Sequence, residues 1–125
     1  MPDHPLQLKP DRVAALRALR VADKFRSEPS MFYPGAPTEE VRTECEGRLN
    51  DLVDRLLRVL QADPRKAVAL EEFRKVLPYF EMYDSEERDR VCSYLEQIMD
   101  ILGIDSSDGL VNSWRYGFDP AQGAQ

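Results

Sequence analysis

TEEVRTECEGRLNDLVDRLLRVLQ, residues 38–61, decides the fold. Val41, Cys45, Leu49, Leu52, Val53, Leu56, Leu57 and Leu60 recur at spacings of three and four, which on a helix gathers them into one apolar face. Thr38 supplies an N-cap hydroxyl, and Glu39 and Glu40 suit the positive end of the helix dipole. The polar face offers three acid-before-base pairs four residues apart: Glu44 with Arg48, Asp51 with Arg55 and Asp54 with Arg58. Such a helix must bury its stripe against other elements, and the flanking sequence supplies helices.

Upstream, Ser27 to Pro37 holds Pro29, Pro34, Pro37 and Gly35, so neither helix nor central strand persists there. Met31, Phe32 and Tyr33 are too apolar for a freely solvated linker. They are expected to pin the loop across the helices, with a binding surface as the alternative. Before the loop, Asp11 is placed to cap a helix reaching about residue 25, with Ala15, Leu16, Leu19, Ala22 and Phe25 inward. Arg17, Arg20 and Lys24 line its solvated face as a short basic stripe.

Downstream, Asp63-Pro64 reads as an N-cap and first-turn proline for a third helix that buries Leu70, Phe73, Val76, Leu77 and Phe80. Pro78 predicts a break before residues 79–83. Asp84 and Glu87 have the spacing of a capping box, and Gly103 a position to end the fourth helix in a Schellman motif, with Ile104 against Met99. Ser106 or Ser107 then caps a short last helix that ends near Gly117. Its Leu110, Val111, Trp114, Tyr116 and Phe118 are expected to seal one end of the bundle. The expected fold is all-α, four longer helices plus a short C-terminal one with the proline-rich loop outside. One domain is expected, ordered over about residues 10–118, with flexible ends at 1–9 and 119–125.

The charge is uneven. Between residues 84 and 108, Asp84, Glu86, Glu87, Asp89, Glu96, Asp100, Asp105 and Asp108 face only Arg88 and Arg90, a balance of −6 that equals the whole chain's. On the fourth helix Glu86, Asp89, Ser93, Glu96 and Asp100 form one stripe opposite Val91, Leu95, Ile98 and Leu102. The expectation is a buried edge and an unneutralised acidic edge. A net acidic chain opposes nonspecific nucleic-acid binding, which draws on clustered Lys and Arg. No run of apolar residues approaches a membrane span and no secretory h-region opens the chain, so the expected setting is cytoplasmic.

Catalytic chemistry has few carriers. The sole histidine, His4, is near the N-terminus, and Cys45 and Cys92 lack metal-site or redox spacing, so Cys-His and Ser-His-Asp nucleophilic catalysis are not expected and both thiols are expected to be buried. Asp105 to Gly109 fails the EF-hand order, with glycine at loop position 5 and Tyr116 at 12. Adjacent carboxylates such as Glu71 and Glu72 diverge by about 100° on a helix. No phosphate-cradling glycine motif is present. No metal and no cofactor is expected.

Arg90-VCSYLEQIMDILGIDSSDGLVNSWRYG-Phe118, together with Phe32-Tyr-Pro-Gly35, resembles a small family of bacterial proteins catalogued only as a domain of unknown function. The likeness spans about residues 25–118 and implies a compact bacterial domain without assigning an activity. In format, a small, acidic, histidine-poor helical chain is similar to bacterial immunity proteins that neutralise a toxin by occlusion. The expected function is therefore that of a protein-interaction module, an immunity or adaptor protein for a partner with a basic surface. Glu86, Asp89, Glu96 and Asp100, then Met31, Phe32 and Tyr33, are the candidate contacts. The alternatives are a carboxylate-based metal binder or hydrolase working from the acidic face, and a structural homo-oligomer.

Overall fold

The leucine-rich face of residues 38–61 is the wall on which the neighbouring helices pack. A computed structural model describes residues 5–116. His4, Gly117, Phe118 and the tail assigned above to a flexible end lie outside the described residues. The elements are α1 (Pro10–Val21), α2 (Glu39–Ala62), α3 (Lys66–Val76), α4 (Ser85–Leu102) and α5 (Leu110–Tyr116), with 3-10 turns at Pro29–Met31 and Leu77–Phe80. α2 packs against α1 and α3, α1 also meets α4, and α5 lies on α4. The described chain is all-α, as its periodicity predicts, and no strand occurs among the described residues. Leu49, Leu52, Val53, Leu56, Phe73, Val91, Leu95 and Ile98 are fully buried at its centre.

Several helix ends follow the sequence rules. The Thr38 hydroxyl accepts the Val41 N–H at 3.1 Å. Pro78 ends α3 by turning the chain into the 3-10 segment, since it cannot donate the helical hydrogen bond. At the end of α4, Gly103 is left-handed (φ 76°). There the Ile104 N–H reaches Met99 O at 2.8 Å and the Gly103 N–H reaches Asp100 O at 3.2 Å, the paired bonds of a Schellman motif. Arg12 Nη1 donates to Leu102 O at 3.0 Å, so α1 helps cap α4. A Cβ on Gly103 would lie 2.9 Å from the same guanidinium, the flexible end of a side chain that can shift, so the left-handed backbone is the reason for glycine there.

Other ends are set by longer-range partners. α1 begins at Pro10 with Lys9 as its N-cap, so Asp11 lies in the first turn and makes no cap. α1 also stops at Val21, short of residue 25, leaving Ala22 exposed. The cause is Lys24, which is buried instead of solvated. Its ammonium donates to Leu19 O (2.7 Å), Arg20 O (3.1 Å) and Ala22 O (2.6 Å), gathering the last carbonyls of α1 onto one cation. Phe25, beyond the helix, takes a left-handed conformation (φ 62°) that turns its ring into the core.

Asp63 is the C-cap of α2, not the start of α3, and its carboxylate pairs with Arg65 at 2.7 Å. Residues 64–65 are held by the N-terminal strand-like stretch, through a bridge from Pro5 to Arg65 and a bond from the Leu6 N–H to Pro64 O. The stretch 5–9, assigned above to a flexible end, is thus tied down, with Leu6 and Leu8 against the core. The anticipated i, i+4 pairs along α2 do not form either. Arg55 reaches Glu72 on α3 (2.8 Å), Asp54 takes Arg20 of α1 (3.1 Å), and Arg48 lies 3.8 Å over the Tyr79 ring. Cross-helix partners that are partly desolvated outcompete exposed neighbours worth only a few tenths of a kcal/mol, roughly 0.2–0.5 each.

The last helix is capped from Ser107, whose hydroxyl accepts the Val111 N–H at 3.1 Å. Val111 is buried and Trp114 half-buried against the core, while Tyr116 is exposed, so the seal over α4 is made by the first turns of α5.

Candidate functional site

The proline-rich loop folds back on itself. Glu28 and Tyr33 exchange backbone hydrogen bonds (2.8 and 3.1 Å), closing a tight turn whose tip is Met31 and Phe32. Of the three apolar residues, only Tyr33 pins the loop. It is buried, and its hydroxyl donates to Glu87 Oε2 at 2.9 Å. Met31 is 49% exposed and Phe32 95% exposed, so neither serves the core. Phe32 is also left-handed (φ 54°), a conformation costly for a bulky residue, and it is held there by the closed turn.

This loop sits on α4. A pocket of about 210 Å³ is lined by Met31, Phe32, Tyr33, Glu86, Asp89 and their neighbours. A second, of about 340 Å³, takes in Glu96 and Asp100. Both share Met31, Arg90, Ser93 and Arg115. The acidic stripe and the apolar loop, two separate features in the sequence, are therefore one groove.

The stripe is not unneutralised. Arg115 of α5 lies 3.1 Å from Asp89 and 3.7 Å from Glu96, while Glu86 and Asp100 form no ion pair among the described residues. The short last helix thus brings a cation onto the acidic face as well as covering apolar surface. Arg90 flanks the stripe from within. Its Nη2 donates to the Tyr94 hydroxyl (3.1 Å), its Nη1 to Ser93 Oγ (3.0 Å), and its guanidinium lies 4.1 Å from the Tyr94 ring centre. Arg90 also reaches the loop, donating from Nη1 to Met31 Sδ at 2.9 Å, and neither arginine's cross-element contact is visible in local pattern.

Glu87 is the other missed residue. It makes no capping box, and the Asp84 side chain caps nothing. Instead Glu87 is buried, and burial raises its carboxyl pKa, with Glu86 and Asp84 adding to the rise against the Tyr33 bond. The native chain therefore holds this proton to higher pH than the unfolded chain, and stability falls as pH rises from about 4.5 through the raised value. Glu87→Gln keeps an acceptor for Tyr33 and removes the buried charge. Urea melts should show the variant near wild type at about pH 4 and more stable than wild type at about pH 7.5. A variant that loses ground as pH rises would contradict the assignment.

Nucleophilic chemistry finds no support in this geometry. Burial pushes both thiols, Cys45 and Cys92, up to about 12, the opposite of activation. Among the described residues no three His, Cys, Asp or Glu side chains converge in a way that could hold a metal ion. No helix of the described chain is long and apolar enough to cross a membrane. What the groove offers is an exposed ring, an acidic rim and two arginines.

The described chain is thus an all-α helical bundle. The chain belongs to the family described as a domain of unknown function, DUF4844, whose model matches residues 7–119. The matched span takes in all five helices, α1 included. In fold the chain is similar to a DUF3571 family protein from Acinetobacter baumannii AYE, known from a crystal structure. The two share 24% identity at a TM-score of 0.75, over 85% of this chain and 89% of the other. No curated protein matches the sequence.

Proposed function

We propose that the protein is an interaction module, an immunity or adaptor protein that blocks a basic partner surface with the groove between the Met31–Phe32 turn and α4. The observation that carries this reading is Phe32. A ring left almost wholly in water, in a backbone conformation that costs about 1–2 kcal/mol for an L-residue, contributes nothing to the fold that a glycine would not. Held by a closed turn, it is preorganised as an anchor, since little side-chain or loop entropy remains to be lost on docking. Glu86 and Asp100, which form no ion pair among the described residues, supply the negative field that steers a cationic partner.

The test separates folding from binding. Phe32→Gly should raise stability by roughly 1 kcal/mol, net of the added freedom of the unfolded chain. A Glu86→Lys/Asp100→Lys double reversal should leave the melting temperature within about 4 °C. Immobilised wild type and both variants are used to capture partners from extracts of the source cell, followed by kinetics on a purified partner. Phe32→Gly should speed dissociation about tenfold or more, and the reversal should slow association and flatten its salt dependence. Equal recovery and equal rates for all three proteins would sink the reading.

A further inference from the structure

A second surface lies away from that groove, on the outer face of α2. Glu40, Glu44, Gly47 and Asp51 recur at spacings of four, three and four, one face of the helix. Opposite them stands the turn after the 3-10 segment, and between the two runs a cleft of about 500 Å³ with Glu44, Gly47, Arg48 and Asp51 on one side and Met82 and Tyr83 on the other.

Gly47 is the anomaly. Glycine is disfavoured inside a helix, and here no internal packing calls for it, because a Cβ built on Gly47 meets nothing within 4 Å. Apolar surface faces the same cleft without a partner: Met82 is 76% exposed. Arg48, which also lines the cleft, stacks its guanidinium 3.8 Å over the Tyr79 ring outside it and forms no ion pair with Glu44 or Asp51. Glu44 accepts only the Tyr83 hydroxyl (2.7 Å), and neither Glu44 nor Asp51 forms an ion pair among the described residues.

We propose that this cleft is a docking site for an amphipathic basic helix of a partner protein. The glycine floor lets the partner's backbone approach α2 closely, its apolar face covers Met82, and its Lys or Arg side chains reach Glu44 and Asp51. Charge decides the occupant. A second copy of the chain would set these same carboxylates against each other, whereas a cationic segment is complementary. The site is separate from the Phe32 groove, and the two can be tested independently.

The probe is a fluorescein-labelled synthetic helix with leucines at i, i+3, i+4 and i+7 and lysines on the flanks, titrated by anisotropy into the full-length chain. Amide chemical shifts map where it binds. Perturbations should centre on Gly47, Arg48 and Met82. Gly47→Gln puts a good helix former where the fold leaves open space, so folding is kept while the cleft is filled, and binding should weaken about tenfold or more. Asp51→Asn should weaken binding a few-fold and flatten its salt dependence, and Phe32→Gly should leave it unchanged. The proposal is overturned if the peptide fails to bind, if Gly47→Gln binds as wild type, if the shifts fall on Ser93 and Arg115 alone, or if sedimentation shows a dimer that Gly47→Gln dissociates.

Discussion

Lys24→Met is expected to destabilise the protein by about 3–5 kcal/mol, because it removes the donor that three carbonyls at the end of α1 share. Methionine keeps the length and apolar stem of lysine, so packing survives and the loss reports the polar contacts. The ammonium is nearly inaccessible, and burial lowers its pKa, the mark of a charge retained at some cost. That cost is offset because each carbonyl would otherwise be left wholly or partly unsatisfied, at about 1–3 kcal/mol for a buried one. The Lys24 N–H is also engaged, donating to Glu46 Oε2 at 2.7 Å, so the whole residue works as a clasp between α1 and α2. Urea denaturation followed by the fluorescence of the single tryptophan, Trp114, measures the change. A loss under about 1 kcal/mol would mean that water caps these carbonyls and that another feature stops α1.

That clasp also shows where reading the sequence reaches its limit. A lysine at i+4 and i+7 from two arginines looks like one more member of a solvated stripe, and intrinsic pattern supports nothing else. Its burial needs the chain to turn back at Val21 with Phe25 in the core, a tertiary arrangement that no local pattern encodes. The same holds for Glu72 and Glu87. Each sits beside another glutamate and gives no local sign of its fate, yet both are buried. Burial pushes the Glu72 carboxyl up, but hydrogen bonds from Lys75 and Arg55 more than offset this and leave it lowered. Glu87 has a tyrosine in place of cations and moves the other way.

What was legible is what local periodicity controls: the apolar faces of α2 and α4, the Thr38 cap, the Gly103 ending and the break at Pro78. In the candidate site, both halves could be read, the acidic stripe from helical spacing and the apolar loop from its composition. Their convergence could not, since it rests on Tyr33 meeting Glu87 and on α5 laying Arg115 across Asp89 and Glu96. Charge arithmetic along one helix overstated the field of that face because the compensating cation comes from a different element.

Phe25 gives the second large effect, and one with an unusual ordering. Its ring is fully buried among Phe80 (centroids 5.8 Å apart, stacked), Tyr94 (5.1 Å) and Tyr33 (6.5 Å, edge-on). Phe25→Ala should cost about 3–5 kcal/mol from lost burial and the cavity left among these rings. Glycine at a normal backbone site would be worse than alanine, since it adds conformational freedom to the unfolded chain. At Phe25 the backbone is left-handed and its N–H is tied to the Tyr94 hydroxyl at 3.0 Å, so alanine inherits the strain and glycine relieves it. Phe25→Gly is therefore expected to be the more stable of the two variants by about 1 kcal/mol, net of its extra unfolded-state entropy. Paired urea melts decide between the two accounts. If alanine is the better substitute, the chain does not hold residue 25 left-handed. The turn that brings Lys24 back onto α1 and carries the loop toward Tyr33 would then need a different geometry.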